Sequence, residues 1–232
     1  IVLISPRDSH CHVMWFVALY AMSNVEQWNR PEKIQPLNVP HPDTKRHKLF
    51  LADMPRRHAL FCPQLVDAQA QFGAATIMTV NYGQSVLLAN FFLACKKRSI
   101  PCQDMAFVFA LDSKTAALLS SKNIAHYHYD GAEYPTAATA FGDEAFSKVV
   151  FYKNAVVFDA LSCGVNVLFQ DVDLVWKKDP IPALLGYNVD MAFMNDGPSR
   201  YQQPLYINSG FFMVRHNDRT MAFWREAFSV FD

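Results

Sequence analysis

The chain has 232 residues, 51% of them hydrophobic and 14% aromatic, with 21 basic and 21 acidic residues and no net charge. That length and apolar content provide a sizeable core and exclude a disordered chain, and the charge balance leaves no electrostatic footprint for nucleic acid or an anionic membrane surface. Five cysteines at irregular spacing give neither a zinc pattern nor a disulfide framework; Cys95 and Cys102 could be bridged in an oxidising lumen, but buried free thiols are the expectation.

The sequence opens on Ile1 rather than Met, so any signal peptide or anchor is expected upstream. The longest apolar run near the start, Val13 to Met22, is ten residues, against the roughly 20 that a bilayer span needs; it reads as a core segment. Residues 1–70 read as an N-terminal extension or stem-like region. Pro31, Pro36, Pro40 and Pro42 punctuate a polar stretch, Lys45-Arg46-His47-Lys48 reads as a solvated face, Pro55 to Pro63 as a loop, and Pro63 to Gln71 as a short helix. His10-Cys11-His12 lacks spaced partners and reads as structural.

From about residue 71 the pattern becomes that of a domain running to 232. Ala75 to Val80 is a β-branched strand ending at the turn signal Asn81-Tyr82-Gly83. Ser85 to Lys97 has helical spacing, with Lys96, Lys97 and Arg98 at the end that favours cations. Met105 to Leu111 is the next strand; Asp112-Ser113 caps a helix to Leu119. Ala125 to Tyr129 follows as a strand, 130–141 as a loop, and Phe146 to Leu161 as an amphipathic helix ended by Gly164. Val165 to Phe169 is a buried strand running into Asp171-Val172-Asp173. A helical turn at Pro180 to Leu185, strands at Val189 to Met194, Leu205 to Asn208 and Phe211 to Val214, and a last helix capped by Asp218 and reaching Phe231 complete the chain. Strands alternating with helices mean an α/β fold with a central, mostly parallel sheet flanked by helices. An ending inside or just after a helix is an odd place for a domain to stop, so a C-terminally incomplete domain is expected.

The chemistry concentrates at Asp171 and Asp173. On an extended chain alternate side chains point the same way; two adjacent like charges repel, and a cation relieves them. Ligand crevices of open α/β sheets lie beyond the carboxyl ends of strands, where this pair sits. A divalent metal holding a diphosphate is the reading, although sixteen Asp produce about one such pair by chance. No G-x-x-x-x-G-K-[ST], G-x-G-x-x-G, G-x-S-x-G or H-E-x-x-H occurs. Without a phosphate loop, metal and cationic side chains must neutralise the diphosphate, and Lys153 is the first candidate. His126 and His128 alternate on one strand face, as do Tyr127 and Tyr129 on the other, which a half-buried strand explains without a metal. Asn208-Ser209-Gly210 reads either as a turn or as a sugar-recognising amide beside an exposed backbone.

The ordered set TVNYG (Thr79 to Gly83), FALD (Phe109 to Asp112), YKNAVVFDALSCGVNVLFQDVDLVWKKDP (Tyr152 to Pro180), FMND (Phe193 to Asp196) and INSGFFMVR (Ile207 to Arg215) resembles the nucleotide-diphospho-sugar transferase domain of glycosyltransferase family seventy-seven. The resemblance covers residues 75–232, about two-thirds of the chain. It implies a GT-A type nucleotide-sugar-binding fold, a UDP-sugar donor, Mn²⁺ or Mg²⁺, and transfer with retention to a glycan or glycoprotein hydroxyl. It further implies a Golgi lumen and a type II anchor outside this chain. By position it makes Asp171 and Asp173 the metal and diphosphate pair and Lys153 the basic position ahead of them. Thr79 and Asn81 fall near the nucleotide, Asp112 beside the nucleoside, and Asp196 and Asn208, with Ser209 and Gly210, flank donor sugar and acceptor. Asp196 and Asn208 are thus the expected catalytic positions. A later acidic-Gln motif and late metal ligand of the family are missing. Two rivals remain: a nucleotide-sugar pyrophosphorylase, which needs a basic Gly-rich loop that TVNYG lacks, and a non-catalytic homologue that binds nucleotide sugar or glycan.

Overall fold

The computed structural model describes residues 2–4, 44–129, 144–195 and 207–229. The expectations for His10-Cys11-His12, Val13 to Met22, the prolines between 31 and 42, the 130–141 loop and Asp196 lie outside those residues.

Strands β1 (Val2–Ile4), β2 (Ala75–Val80), β3 (Ala106–Ala110), β4 (His126–His128), β5 (Val167–Gln170), β6 (Met191–Asn195) and β7 (Ile207–Val214) form one sheet ordered β1-β6-β7-β5-β2-β3-β4. The pairs β1–β6, β5–β2, β2–β3 and β3–β4 are parallel, and β7 runs antiparallel to both β5 and β6. The helices are α1 (Thr44–Phe72), α2 (Ser85–Lys97), α3 (Cys102–Met105), α4 (Ser113–Ser121), α5 (Glu144–Ser162), α6 (Ile181–Gly186) and α7 (Asp218–Ser229). This is the mixed α/β fold, with helices covering a mostly parallel sheet, that the alternating pattern predicts.

Period-two alternation sorts the core onto two faces. Ile77, Phe107, Phe109, Val167 and Phe169 turn toward Phe61 and Leu65 of α1, Val156 and Leu161 of α5, and Trp224 of α7. Met78, Ala106, Val108 and Leu168 turn the other way, toward Leu88 and Phe91 of α2, Leu119 of α4, Leu184 of α6 and Trp176. On the first face Phe212 stacks with Phe169, Phe193 and Trp224 at centroid distances of 5.2, 5.1 and 5.8 Å.

Tertiary packing overrides local signals at four places. Pro55 and Pro63 lie inside α1, not in a loop; Phe61 and Leu65 are fully buried, and that burial outweighs two missing backbone donors. Residue 70 lies in the last turn of that helix, which packs on the sheet. The four cysteines among the described residues are not free thiols: Cys62–Cys163 ties α1 to the end of α5, and Cys95–Cys102 ties α2 to α3. Residues 207–214 do not make two strands around a turn, because Asn208-Ser209-Gly210 lies within β7. Asn217, not Asp218, caps α7: its Oδ1 accepts the Thr220 N–H at 3.0 Å while its own N–H donates to Thr220 Oγ1 at 3.1 Å.

One buried charge cluster fastens α1 to α5. Arg57 and Asp159 are 3% and 0% exposed, and Nη2 meets Oδ1 at 3.0 Å while Nε donates to Oδ2 at 3.0 Å. The Tyr129 hydroxyl donates to the same carboxylate; burial first, then the Asp159 charge, pushes its pKa well above the usual tyrosine range, which keeps that donor protonated. Removing one partner strands the other charge in the core. Asp159→Ala should therefore lose about 3–5 kcal/mol of stability in denaturant unfolding; a loss within experimental error would show that the pair does not hold α1 in place.

Candidate active site

Strand alternation in β5 decides where its last residues point. Gln170 falls on the face of Leu168, and the next residue, Asp171, falls on the face of Phe169, where α5 supplies Lys153. The Lys153 ammonium stands 2.8 Å from Asp171 Oδ1 and 3.1 Å from Oδ2, and donates to the Ser209 carbonyl at 3.4 Å. It also lies 5.1 Å from the Phe169 ring centroid. With Lys153 12% and Asp171 25% exposed, the pair is partly desolvated, so its mutual attraction exceeds that of a surface ion pair.

The second hold on Asp171 comes from β7. Its N–H donates to the Gly210 carbonyl at 2.7 Å, and Gly210 N–H in turn donates to Asn208 Oδ1 at 2.6 Å. The β6–β7 register breaks here, from Phe193 opposite Phe212 to Met194 opposite Asn208. That is a bulge of the kind that re-aims residues beside a site. Any Cβ at position 210 would lie 2.5 Å from Asp171 Oδ2 and 2.9 Å from Asn208 Oδ1. Glycine is thus required by close approach of a carboxylate.

The chain does not stay extended through the carboxylate pair, as the sequence reading assumed. Val172 and Asp173 form a turn, with Val172 buried and Asp173 solvent-accessible. Partial desolvation of its carboxylate, followed by the charge of Asp171, raises the Asp173 pKa above 3.8, against the opposing pull of its backbone hydrogen bond and Lys153. Charge on Asp173 is disfavoured in the metal-free fold, and a cation is the natural relief. Two hard oxygen donors on an open crease fit Mn²⁺ or Mg²⁺, which take one or two protein carboxylates and complete their shell with phosphate oxygens and water. Among the described residues the three-ligand grouping is elsewhere, at His58, Cys62 and Cys163, and both of its sulfurs are spent in a disulfide.

The other expected positions line the same sheet edge, at the C-terminal ends of parallel strands β2, β3 and β5. Thr79 is buried near the end of β2, and Asn81 follows it, 2% exposed, with its N–H donating to Gln84 Oε1 at 3.4 Å. Asp112 caps α4 from the end of β3. Its Oδ1 accepts the Thr115 N–H at 2.9 Å, and Oδ2 accepts the Thr115 hydroxyl at 2.8 Å and the Tyr82 N–H at 2.7 Å. That carboxylate thus fixes the loop after β2 and leaves the Tyr82 ring exposed, with Lys114 Nζ 5.8 Å from its centroid. Lys153, Asp171, Asn208, Ser209 and Gly210 meet directly, and Asp196 lies outside the described residues. Sequence reasoning passed over Gln170 and the hydrogen bond it receives from Trp176 Nε1; the available signal was a polar residue ending an otherwise apolar strand.

Residues 102–229 match a family model described as nucleotide-diphospho-sugar transferase. The chain is 36% identical over 98 residues to the UDP-galactose:fucoside alpha-3-galactosyltransferase of Dictyostelium discoideum, covering 40% of this chain and 15% of that protein. It is 33% identical over 86 residues to the beta-arabinofuranosyltransferase RAY1 of Arabidopsis thaliana, covering 35% and 16%. It is 29% identical over 135 residues to the Arabidopsis UDP-D-xylose:L-fucose alpha-1,3-D-xylosyltransferase MGP4, covering 58% and 37%. The chain spans well under half the length of these relatives.

Two outcomes follow from this geometry. Gly210→Ala should push the Asp171 carboxylate off Lys153 and weaken Mn²⁺ binding about tenfold or more in a titration; unaltered binding would show that Asp171 is not part of a metal site. A carboxyl with a raised folded pKa stabilises the fold below its unfolded value of 3.8 and loses that contribution as pH rises through the folded value. Asp173→Asn should therefore gain melting temperature over wild type as pH rises through that window, without metal. A constant difference would contradict the shift.

Proposed function

Because the chain belongs to the nucleotide-diphospho-sugar transferase family, we propose that it is a metal-dependent glycosyltransferase. It takes a UDP-sugar donor and moves the sugar, with retention, to a hydroxyl of a glycan or glycoprotein. The observation that carries this reading is the meeting of Asp171 and Lys153, beside the Asp173 turn, at the carboxyl end of β5. The names of the relatives support it: two are transferases from UDP-galactose and UDP-D-xylose to a fucoside or fucose.

Breaking the bond between sugar and diphosphate leaves negative charge on the β-phosphate. A divalent cation supplies Lewis-acid stabilisation of that charge when bound. Asp173, solvent-accessible and carrying disfavoured charge, is the ligand that gains most from it. Asp171 keeps the Lys153 ammonium at the crease, where positive charge is preorganised for the leaving diphosphate rather than recruited to it. In this reading the nucleotide takes the ends of β2 and β3, where Thr79, Asn81 and the exposed Tyr82, its N–H held by Asp112, are gathered. Gly210, backed by the Asn208 carboxamide, lets the backbone of β7 close on Asp171 at the end of the sheet assigned here to the donor sugar. Retention follows either from front-face attack, with the proton passing to the departing phosphate, or from double displacement through a carboxylate such as Asp196.

The proposal places the domain in the Golgi lumen behind a type II anchor. Two disulfides support an oxidising compartment; among the described residues no helix is long and apolar enough to cross a membrane.

Donor hydrolysis or transfer with a panel of UDP-galactose, UDP-xylose and UDP-arabinose in Mn²⁺ tests the reading. At least one donor should turn over, and Asp173→Ala should lower kcat/KM by about 100-fold or more, the scale for removing one electrostatic stabiliser. Equal activity in the variant would remove the metal role. Mn²⁺-dependent UDP binding without turnover of any donor would make the chain a binding homologue.

A further inference from the structure

Gln170 is a carboxamide where an apolar residue would be expected. It ends β5, is 0% exposed, and points into the apolar layer formed by Met78, Val80, Phe91, Val172 and Trp176. Its Oε1 accepts the Trp176 indole N–H at 2.5 Å, and its Nε2 lies 3.5 Å from Met78 Sδ. Burying an amide and an indole N–H has a desolvation cost that two apolar residues of the same shape would avoid, so the pair adds little net stability. What it adds is direction.

Trp176 is 5% exposed, and its ring meets Phe91 of α2 edge-on at 5.5 Å and 84°. It is therefore anchored to a helix as well as to Gln170. Between the two partners run Asp171, Val172, Asp173, Leu174 and Val175, with Val172 itself 3% exposed in the same layer. The chain leaves the sheet at Gln170 and is returned to it at Trp176. Asp171 and Asp173 flank the buried Val172 and have little freedom to separate or swing.

We propose that Gln170 and Trp176 are positioning residues that close the carboxylate turn, setting the placement of Asp171 and Asp173 for a divalent cation and a nucleoside diphosphate. The proposal rests on the metal and donor reading above only for what the turn binds; the closure of the turn is a property of the metal-free chain. Neither residue touches the ligand. Each acts through the backbone between them.

The test is a double-substitution cycle with Gln170→Leu, Trp176→Phe and the two combined. Each single change leaves a buried polar group without its partner and lowers the melting temperature. The combined change removes both groups and should return melting close to wild type. A merely structural pair would then recover everything. A positioning pair would not: in the metal-free double variant, amide hydrogen exchange across 171–175 should stay about fivefold to tenfold faster than wild type, the scale of one hydrogen bond. The Mn²⁺ concentration giving half-maximal UDP binding by calorimetry should rise by a similar factor. Wild-type exchange and wild-type Mn²⁺ dependence in the refolded double variant would overturn the proposal. If wild-type protein shows no Mn²⁺-dependent UDP binding, the donor reading fails, and the exchange rates alone decide whether the pair closes the turn.

Discussion

The carboxylate turn after β5 is organised around one ammonium held within 3.1 Å of both oxygens of Asp171. A carboxylate at the end of a buried strand, one turn from a second carboxylate, is a repulsive arrangement that needs compensation. Lys153 supplies it from α5, and the glycine at 210 supplies the space by leaving out a side chain. The backbone of β7 fixes Asp171 through the Gly210 carbonyl, so the carboxylate is held from two independent elements. Asp173 is the more exposed of the two carboxylates, and its backbone hydrogen bond and Lys153 only partly offset the burial and the Asp171 charge that disfavour its ionised form.

The rest of the fold can be understood as what holds Lys153 in position. Its helix, α5, is buried along the sheet by Val156, Val157 and Leu161, and is fastened to α1 by Arg57–Asp159 and Cys62–Cys163. The end of α5 is closed by Gly164, whose φ of +81° lies in the left-handed region. Beyond it Asn166 joins three elements: its Nδ2 donates to the Gly73 carbonyl at 3.1 Å, its Oδ1 accepts the His216 N–H at 3.0 Å, and its carbonyl accepts the Ala75 N–H at 2.9 Å. Strand β5 therefore enters the sheet already registered against β2 and β7. The position of Asp171 four residues after Val167 follows from that registration.

Much of this was legible in the sequence, and the reasons for the failures are physical. Ser85 to Lys97 and Ala75 to Val80 were fixed by periodicity and flanking turn residues, and both match the observed elements. The Asp112 cap was visible because a short polar side chain before a helix has one dominant use. The two prolines of α1 misled because local propensity cannot register the burial of Phe61 and Leu65 against strands far away in sequence. Cys95–Cys102, the pair that the sequence offers as able to bridge, is joined, but the Cys62–Cys163 bridge is not legible for the same reason: the two are separated by 101 residues, and only the packing of α1 on α5 joins them. Asn208-Ser209-Gly210 carries every mark of a turn, yet it lies in a strand, because the glycine answers to a neighbouring carboxylate rather than to its own backbone. At the site, residue types were readable and partnerships were not. Lys153 and Asp171 were named separately, and only the alternation of β5 with the placement of α5 shows that they form one unit.

In the proposed function Asp173, braced by the Lys153–Asp171 pair, holds a divalent cation against a nucleoside diphosphate. A crystal grown with Mn²⁺ and UDP, examined by anomalous scattering, tests it most directly. A manganese peak is expected about 2.1 Å from an Asp173 carboxylate oxygen, in contact with the diphosphate, with Lys153 beside it. A manganese peak away from Asp173, or a diphosphate bound elsewhere on the sheet, would contradict it.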